Sequence, residues 1–331
     1  MMLGLQIRGQ DLHFSQFYNN PLNLNPGLTG VFQADQRFAG SYRNQWRAVP
    51  VSYTTFSATY DQQMDWQKLK KGKLAAGLQF QYDQAGDGGL SLASFGMSGA
   101  YLFPLNEKHV ISAGLQTQMV QRAFRPEHFT FGSQFNGDIF QEDLNSGENF
   151  NNASAFFFDW SGGVNWHIRP FGANKKRTWV DAGVGLFHFN QPMQRFAGAF
   201  ESPFPSRLSW YALSSWQVSN NWDLLVHWMS QDQLKNNERL AGVAGQLYLN
   251  PKRDKELAVK IGVNYRFDRI ADALIPTAGV LYRTWRLDVS YDVNVSGFDA
   301  ATIRRGGPEV HLRYLITKLK PIPEFKICPI I

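Results

Sequence analysis

The feature that most constrains the fold of this chain is a strict two-residue alternation of side-chain character over segments of about ten residues. From Leu257 to Phe267, apolar residues at every second position alternate with Ala, Lys, Gly, Asn and Arg. Residues 73–83 and Trp285–Asn294 show the same period. Each segment therefore predicts a β-strand with one apolar and one polar face, long enough to cross a bilayer when tilted.

The pattern recurs between residues 37 and 316 and predicts about fourteen strands, an even number as in bacterial outer-membrane barrels. Short connections such as residues 104–108 and 218–221 alternate with long ones at 124–155 and 190–206. Short periplasmic turns and longer outer loops are typical of such barrels, and this parity predicts that the amino terminus starts on the periplasmic side. The predicted fold is therefore all-β, a transmembrane antiparallel β-barrel preceded by an N-terminal extended arm.

Composition excludes several other classes. The 331-residue chain is 15% aromatic and only 18% charged, which excludes intrinsic disorder. A single cysteine, Cys328, excludes an internal disulfide framework. No apolar run reaches the length of about 18 residues that a membrane helix needs. A net charge of +6 is a mild excess and does not indicate a nucleic-acid partner.

The ends of the chain differ in character from the predicted barrel. Residues 1–10 resemble the rear of a secretory signal peptide with Gly9 at the cleavage position, and an ordinary tail is the alternative. Residues 11–36 are rich in Asn, Pro and aromatic residues and predict an ordered arm or plug segment. The barrel then spans residues 37–316, and residues 317–331 form a predicted periplasmic tail.

Motifs for catalysis are absent from the sequence. It contains no HExxH, CxxC or P-loop motif and no GxSxG elbow. The segment Asp143-Leu144-Asn145-Ser146-Gly147-Glu148 only faintly resembles a calcium loop, because its fifth position is glycine and the later glutamate is missing. We therefore expect no enzymatic activity, no cofactor, no metal and no small-molecule substrate.

The polar strand faces carry cations and anions in nearly equal number, which suggests ion pairs within a filled lumen. A selective ion pore, the alternative, would more often have one sign dominating its lining. The residues directed inward by the alternation are Arg37, Arg43, Arg169, Lys260, Arg266, Arg286 and Arg313, with Asp83, Asp159, Asp181, Asp288, Asp292 and Glu309.

A second group of cations lies in two connections on the predicted periplasmic side, which are expected to be neighbouring turns. These residues are Lys68, Lys70, Lys71, Lys175, Lys176 and Arg177. Solvated turns are the simplest interpretation. The alternative is a docking surface at which positive charge attracts an acidic periplasmic partner.

Three motifs near the amino terminus carry a resemblance to a known family. They are Asp11-Leu12-His13-Phe14-Ser15-Gln16-Phe17-Tyr18, Asn25-Pro26-Gly27-Leu28-Thr29-Gly30 and Tyr42-Arg43-Asn44-Gln45-Trp46. In this order they resemble the opening of the PorP/SprF membrane proteins of Bacteroidetes. The motif residues that mark the arm are Asp11, His13, Phe14, Ser15, Gln16, Asn25, Pro26 and Gly30.

The resemblance implies an outer-membrane barrel of the type IX secretion and gliding-motility machinery. It also implies partners, namely periplasmic or outer-membrane apparatus proteins and a secreted adhesin client. Two other functions fit the alternation alone, a porin-like uptake channel and a soluble β-rich binding protein. Conductance distinguishes the porin from the secretion subunit, and dependence on detergent distinguishes both from the soluble protein.

Overall fold

The computed structural model describes most of the predicted arm and barrel. The described residues are 11–45, 53–64, 71–85, 89–125, 130–141, 143–145, 147, 153–171, 175–196, 200–252, 255–267, 272–295 and 305–317. The predicted signal remnant, Lys68, Lys70, Cys328 and nearly all of the predicted tail lie outside them. Among the described residues, no helix is long and apolar enough to cross a bilayer.

Among the described residues, sixteen strands form in chain order, and fourteen of them close into one antiparallel barrel. The first eight are β1 (Gln36–Gln45), β2 (Tyr53–Met64), β3 (Lys73–Ala85), β4 (Leu90–Pro104), β5 (His109–Ala123), β6 (Ser154–Ile168), β7 (Trp179–Phe187) and β8 (Met193–Phe196). The others are β9 (Phe200–Pro203), β10 (Arg207–Gln217), β11 (Trp222–Gln233), β12 (Asn236–Asn250), β13 (Leu257–Phe267), β14 (Ala273–Tyr282), β15 (Trp285–Asn294) and β16 (Arg305–Ile316). The predicted barrel of about fourteen strands is confirmed.

Strands β8 and β9 do not belong to the barrel. They pair with each other as a small hairpin between β7 and β10, in a stretch where the sequence predicts only a long loop. Each has four residues, which is too short for the alternation to show. In the barrel, β7 is therefore followed directly by β10 as its neighbour.

The alternation sorts side chains between lipid and lumen as the sequence predicts. On β13, Ile261 is 73% exposed on the outer surface, whereas its neighbour Lys260 is 3% exposed inside the barrel. Apolar side chains stand outward around the wall because the bilayer replaces water there. Polar and charged side chains point inward and are buried by the contents of the lumen.

The two ends of the barrel are distinguished by their connections. At the short-turn rim, β1 begins beside the end of β16, and residues 105–108, 218–221 and 283–284 connect strands. At the long-loop rim lie residues 124–153 and 188–206. By the general rule for such barrels, the short-turn rim faces the periplasm and the long-loop rim faces outward.

The arm, residues 11–35, lies inside the barrel. It forms a 3-10 turn at Phe17–Asn19, a four-residue helix α1 at Pro21–Leu24 and a second 3-10 turn at Pro26–Leu28. Each of the last two begins with proline, whose fixed φ suits a first helical position and whose missing N–H costs nothing there. The arm is thus a folded plug segment.

The arm runs from one rim to the other. Asp11 contacts residues at the long-loop rim, while the backbone N–H of Asp35 donates to the carbonyl of Ile316 at the short-turn rim. If the short-turn rim faces the periplasm, β1 starts on that side as the strand parity predicts, whereas the described arm starts at the opposite rim. The sequence did not reveal this because strand parity counts only the strands.

Candidate functional site

The site with the richest chemistry is the interface between the arm and the inner wall of the barrel. Hydrogen bonds from the arm reach at least eleven of the fourteen barrel strands. The residues named above as the arm motif are all in this interface, and Phe14, Ser15, Gln16 and Asn25 are almost completely buried. These motif residues therefore face the barrel's own wall.

At the long-loop rim, Asp11 closes a charged cluster. A carboxylate oxygen of Asp11 lies 2.9 Å from Nε2 of His188 and 3.2 Å from Nε of Arg207. Nδ1 of the same imidazole lies 2.9 Å from a carboxylate oxygen of Asp159 on β6. With a carboxylate at each ring nitrogen, His188 is best stabilised as the doubly protonated cation.

The charged groups in this cluster shift one another's pKa values. Burial alone would lower the pKa of His188, but the carboxylates of Asp11 and Asp159 outweigh it and raise that pKa. Burial alone would raise the pKa of Asp11, but Arg207 and His188 outweigh it and lower that pKa. Both groups are therefore held in their charged forms, and the start of the arm is tied electrostatically to the wall.

Deeper in the lumen, the backbone around Ser15 and Gln16 meets a buried network of charges. The N–H groups of Ser15 and Gln16 donate to the carboxylate of Glu309 at 2.7 and 2.9 Å. The Ser15 hydroxyl donates to Asp292 at 2.7 Å and accepts from Arg266. The arm thus supplies hydrogen bonds that these buried carboxylates need.

The wall residues of this network also pair with one another. Arg43 lies 2.7 Å from Asp292 and 3.7 Å from Glu309, and Arg266 lies 2.9 Å from Asp292. Arg43 also donates to the backbone carbonyl of His13 at 2.8 Å. The two arginines and the burial of His13 lower the pKa of this histidine, with burial the larger cause, so His13 is neutral at physiological pH.

The turn at Asn25, Pro26 and Gly27 docks by a different device. Its backbone approaches the wall at glycines on three successive strands, where a side chain would collide with the arm. A Cβ at Gly114 would meet the Pro26 carbonyl, one at Gly163 would meet the Asn25 side chain, and one at Gly185 would lie 3.1 Å from the Leu24 oxygen. Glycine in a strand interior often marks such a close approach of another backbone.

Hydrogen bonds then fix this turn in place. The Asn25 side chain donates to the Val164 carbonyl and to the Tyr211 hydroxyl, both at 2.9 Å, and accepts from the Gly27 N–H. Ser112 donates to the Gly27 carbonyl at 2.6 Å. The turn is therefore bonded to β5, β6 and β10 together.

Near the short-turn rim, Gly30 ends the plugging segment. Its φ of +75° is favourable for glycine and strained for other residues. Its N–H donates to Asp61 at 2.8 Å, and Arg37 pairs with the same carboxylate at 2.7 Å. Arg37 also donates to the carbonyl of Leu28, so this ion pair holds the arm as well.

The remaining inward charges lie around the arm. Lys260 and Asp288 are 2.6 Å apart, Asp181 lies 3.0 Å from His167, and Asp83 accepts from Thr55 at 2.6 Å. Arg313 is half-buried opposite Arg286 in the β15–β16 register. Arg169, expected in the lumen, is exposed beyond the end of β6, because that strand ends at Ile168.

The basic turns lie at the short-turn rim. Lys71, Lys175 and Lys176 are exposed there, and Lys175 stacks on Phe171 at 5.0 Å. Arg177 instead pairs with Asp223 at 2.8 Å and donates to the carbonyls of Ser219 and Asn220. The two turns are separated by the β4–β5 turn, so they share a rim but are not adjacent as the sequence suggested.

Most of the chain matches the sequence model of a known family. The profile described as type IX secretion system membrane protein PorP/SprF covers residues 7–313. The chain belongs to this family. Among curated proteins, none matches the chain significantly. As a PorP/SprF protein with a barrel fold, it is an outer-membrane component of the type IX secretion system, which confirms the predicted family and location.

Solved structures show the same fold at very low sequence identity. The monoaromatic hydrocarbon channel CymD is similar with a TM-score of 0.50 and 9% identity over 91% of this chain and 93% of that one. The Ralstonia pickettii toluene transporter TbuX gives 0.50 and 10% over 90% and 94%. A Pseudomonas aeruginosa FadL homologue gives 0.50 and 8% over 89% and 94%. At such identities the similarity concerns the fold alone.

Several residues of the plug interface are not evident from the sequence. His188 and Arg207 lie in or beside a long connection, where no alternation indicates which way a side chain points. Asp61 and Ser290 lie on strands with many other polar residues, so nothing in the sequence distinguishes them. A usable signal exists for the glycines, because Gly114, Gly163 and Gly185 fall on the inward face of predicted strands. Inward glycines on neighbouring strands indicate that something other than side chains fills the lumen.

Proposed function

We propose that this PorP/SprF protein is a non-enzymatic docking subunit whose lumen is closed by its own arm. Periplasmic apparatus proteins bind at the short-turn rim, and a secreted adhesin-type client binds at the long-loop rim. The observation that carries the proposal is the arm, which spans the lumen from Asp11 to Asp35. It is held at its start by the buried ion pair of Asp11 with Arg207 and near its end by hydrogen bonds to Asp61 and Ile316. A filled lumen favours a protein that binds partners at its rims over a channel that conducts solutes.

The arm is tightly packed and hydrogen-bonded inside the lumen, so it is not a loosely held obstruction. Removing the turn at Asn25 would leave the Tyr211 hydroxyl and the wall glycines facing empty space. Removing Ser15 and Gln16 would strip Glu309 of two hydrogen bonds in a fully buried position. Because unpaired buried groups are costly, the closed state is strongly favoured.

The basic short-turn rim supports a periplasmic partner of acidic character. Lys71, Lys175 and Lys176 are exposed and extend from two turns. Such charges attract an acidic surface within about 8 Å at physiological salt. Arg177 contributes less to docking, because it is already held by Asp223.

The second candidate function is a porin-like uptake channel. The solved barrels of similar fold include a hydrocarbon channel and a toluene transporter, which is the reason to test it. Transport through this barrel would require the arm to leave or rearrange, which breaks the Asp11–Arg207 ion pair at its start and the Gly30–Asp61 hydrogen bond near its end.

The first experiment measures conductance of the purified full-length protein in planar bilayers. The docking function predicts little steady current, and deletion of residues 11–30 should create open channels in the same preparation. Large stable currents from the intact protein would favour the uptake channel.

The second experiment replaces Lys68, Lys70, Lys71, Lys175 and Lys176 with glutamine and retains Arg177, so that Asp223 keeps its partner. Co-purification of periplasmic proteins should fall and should depend on salt in the wild type. Lys235→Gln, in the β11–β12 turn at the opposite rim, is the control and should leave these partners bound. Unchanged partners at every salt concentration would reduce the lysines to solubilising residues.

A further inference from the structure

Two arginines face each other on the inner wall of the barrel, close to the short-turn rim. Arg286 is the second residue of β15, and its register partner on β16 is Arg313. Both lie on the lumenal face, because the next residues of that face, Asp288 and His311, are completely buried in the lumen. Neighbouring strands are about 4.8 Å apart, and like charges directly opposite each other on one face are destabilising. We call these two residues the arginine pair.

The charge of the arginine pair is only partly balanced. Asp288 lies 3.7 Å from Nε of Arg286, but the same carboxylate also pairs with Lys260 at 2.6 Å. Gln246 accepts a hydrogen bond from Arg286 but adds no charge. Arg313 has no hydrogen bond or ion pair with any residue that the structure describes. Three cations therefore share one carboxylate, which leaves two positive charges in excess.

The acidic residues around the arginine pair are already engaged elsewhere. Asp61 pairs with Arg37 of β1, the strand next to β16, at 2.7 Å. Asp223 of β11 pairs with Arg177 at 2.8 Å. Deeper on β16, Glu309 accepts two hydrogen bonds from the backbone of the arm. The excess of positive charge is therefore confined to the arginine pair and its surroundings.

Several buried polar atoms around the arginine pair also lack a hydrogen-bond partner among the described residues. They are Nε of both arginines, Nε2 of His311 and the hydroxyl oxygen of Thr59. Thr59 belongs to the same cross-strand row, since Arg313 lies opposite Ala39 on β1 and Ala39 lies opposite Thr59 on β2. Nδ1 of His311, by contrast, is held by Ser41 at 2.8 Å. Because buried polar groups normally have partners, this group of atoms indicates a site for a ligand.

The arginine pair is reachable from the short-turn rim. The Arg286 side chain is 13% exposed, against 1% for Arg43 deeper in the lumen, and Arg313 is half-buried. The inward residue beside Arg313 on β1 is small, Ala39. The end of the arm is held elsewhere, with Val31 packed against residues of β3 and β4. A small ligand that enters from this rim therefore meets both guanidinium groups.

We propose that the arginine pair binds one phosphate group, which enters from the short-turn rim and lies between the two guanidinium groups. Guanidinium groups bind phosphate oxygens through pairs of charge-assisted hydrogen bonds. A phosphate group carries a charge of about −1.5 to −2 near neutral pH, which matches the excess of two positive charges. A carboxylate would balance only half of this excess. The site does not depend on the docking of a partner protein.

Binding of the phosphate group stabilises the barrel where β15 meets β16. The repulsion between Arg286 and Arg313 is replaced by the attraction of each arginine to the same anion. A ligand that binds the folded barrel and not the unfolded chain raises the unfolding midpoint as its concentration increases. The unfolding midpoint therefore reports binding without a transport or co-purification assay.

The test measures the thermal unfolding midpoint of the purified full-length protein in detergent, in sodium phosphate and in sodium chloride of the same ionic strength. Phosphate should raise the midpoint above its value in chloride, and the rise should saturate with concentration. Acetate, a monoanion, should have a smaller effect at the same ionic strength. No difference between phosphate and chloride, or an equal effect of phosphate and acetate, would overturn the proposal.

Arg313→Gln separates this site from a general effect of phosphate. The loss of one charged donor group should raise the apparent dissociation constant for phosphate by about tenfold or more. In chloride the variant should be at least as stable as the wild type, because the repulsion within the arginine pair is removed. A purely structural role of Arg313 would instead lower the midpoint in both salts.

Arg283→Gln is the matched control for this variant. Arg283 is exposed in the turn between β14 and β15, so the substitution removes a cation from the same rim and should leave the phosphate response unchanged. An equal phosphate response in Arg313→Gln and Arg283→Gln would overturn the proposal. Arg286→Gln removes the other member of the arginine pair and is the second test if Arg313→Gln fails to assemble.

Two further comparisons identify the occupant. If glycerol 3-phosphate, a phosphate monoester, stabilises the wild type as inorganic phosphate does, the site accepts phosphate esters, and if only inorganic phosphate does so, the site holds the free ion. Either result supports the site. Truncation after Thr317 removes residues 318–331, which contain Glu324. A phosphate response that appears only in the truncated protein would show that the chain's own carboxylate occupies the site, and the proposal would be wrong.

Discussion

Nε2 of His188 lies 2.9 Å from a carboxylate oxygen of Asp11, although 177 positions separate the two residues in the chain. His188 follows the last residue of β7 at the long-loop rim, so this contact places the start of the described arm at the outer end of the lumen. The arm then descends to the short-turn rim, where β1 begins. The described chain thus passes through the lumen from the long-loop rim to the short-turn rim before the first barrel strand begins.

The threaded path predicts where an epitope inserted directly before Asp11 is found. Because Asp11 lies at the outward-facing rim, the epitope should be accessible to antibodies on intact cells. An epitope inserted after Thr317, next to the end of β16 at the short-turn rim, should become accessible only after permeabilisation. Access to both epitopes only after permeabilisation would contradict the path of the arm.

The cluster around His188 predicts a pH-dependent attachment of the arm. A histidine with a raised pKa stabilises the fold fully below its unfolded value of about 6.5 and loses this effect as pH rises through the folded value. Asp11, with a lowered pKa, contributes above its unfolded value of about 3.9 and loses its effect as pH falls through the folded value. The attachment is therefore strongest between about pH 4 and 6.5.

The measurement compares the thermal unfolding midpoint of the wild type with that of His188→Gln across pH. The difference should be largest between about pH 4 and 6.5 and should shrink as pH rises into the alkaline range. Asp11 and Asp159 contact this ring, and Arg207 pairs with Asp11. All three remain in both proteins, so the comparison isolates the imidazole. A difference that grows with pH would show that the histidine is held neutral.

The buried network around Asp292 predicts a large loss of stability when its centre is removed. Asp292 contacts Arg43, Arg266 and the Ser15 hydroxyl, all within 2.9 Å. Asp292→Ala leaves two buried arginines undercompensated, and breaking a buried pair in this way typically costs about 3–5 kcal/mol. The free energy of unfolding in urea should fall by this amount, and channel openings should become frequent in planar bilayers.

Lys108→Ala serves as the control for this variant. Lys108 is an exposed cation in the β4–β5 turn, and exposed substitutions usually change stability by less than about 0.5 kcal/mol. Equal stability losses in the two variants would indicate that the network around Asp292 contributes no more than a surface charge.

The glycines under the Asn25 turn predict a purely steric way to displace the plug. In Gly114→Ala the new methyl group would collide with the carbonyl of Pro26, so the turn must move. Overpacking of this kind costs about 1–3 kcal/mol. Gly99→Ala on the neighbouring strand β4 is the matched control, because its methyl group would lie 4.0 Å from the nearest atom.

The readout is cleavage of the arm by added protease together with the unfolding midpoint. Gly114→Ala should expose the arm and lower the midpoint, while Gly99→Ala should resemble the wild type. Identical protease resistance in both variants would mean that the backbone of the turn does not rest on the wall as described.

The barrel was predictable from the sequence because its signal is local. On β13 the polarity of each side chain predicts whether it faces lipid or the lumen. The outward position of Ile261 and the inward position of Lys260 could be predicted without knowing which distant residues they contact. The arm was recognised as ordered, yet its contacts were not predictable. Ser15 bonds to Asp292, 277 positions away, and nothing in a single sequence pairs such residues.

The early end of β7 shows the same limit. Its cause is the turn at His188, a non-glycine residue at positive φ that is stabilised by two carboxylates from distant segments. Alternation predicts this strand at residues 178–189, within two residues of the observed ends of β7. Where the strand ends depends on tertiary contacts. Sequence patterns therefore predict the wall, whereas the contacts of the plug and the end of β7 require the structure.

The outward face of β13 gives a final prediction on the barrel itself. Ile261 lies near the middle of an eleven-residue strand and projects into the lipid, where an arginine cannot be solvated. Ile261→Arg should cost about 2–4 kcal/mol and reduce the heat-modifiable, folded fraction in outer membranes. Ile261→Leu keeps the position apolar and should assemble normally. If Ile261→Arg assembles as well as Ile261→Leu, residue 261 does not face lipid. Because a one-residue slip exchanges the two faces of a strand, the register of β13 would then have to be shifted by one residue.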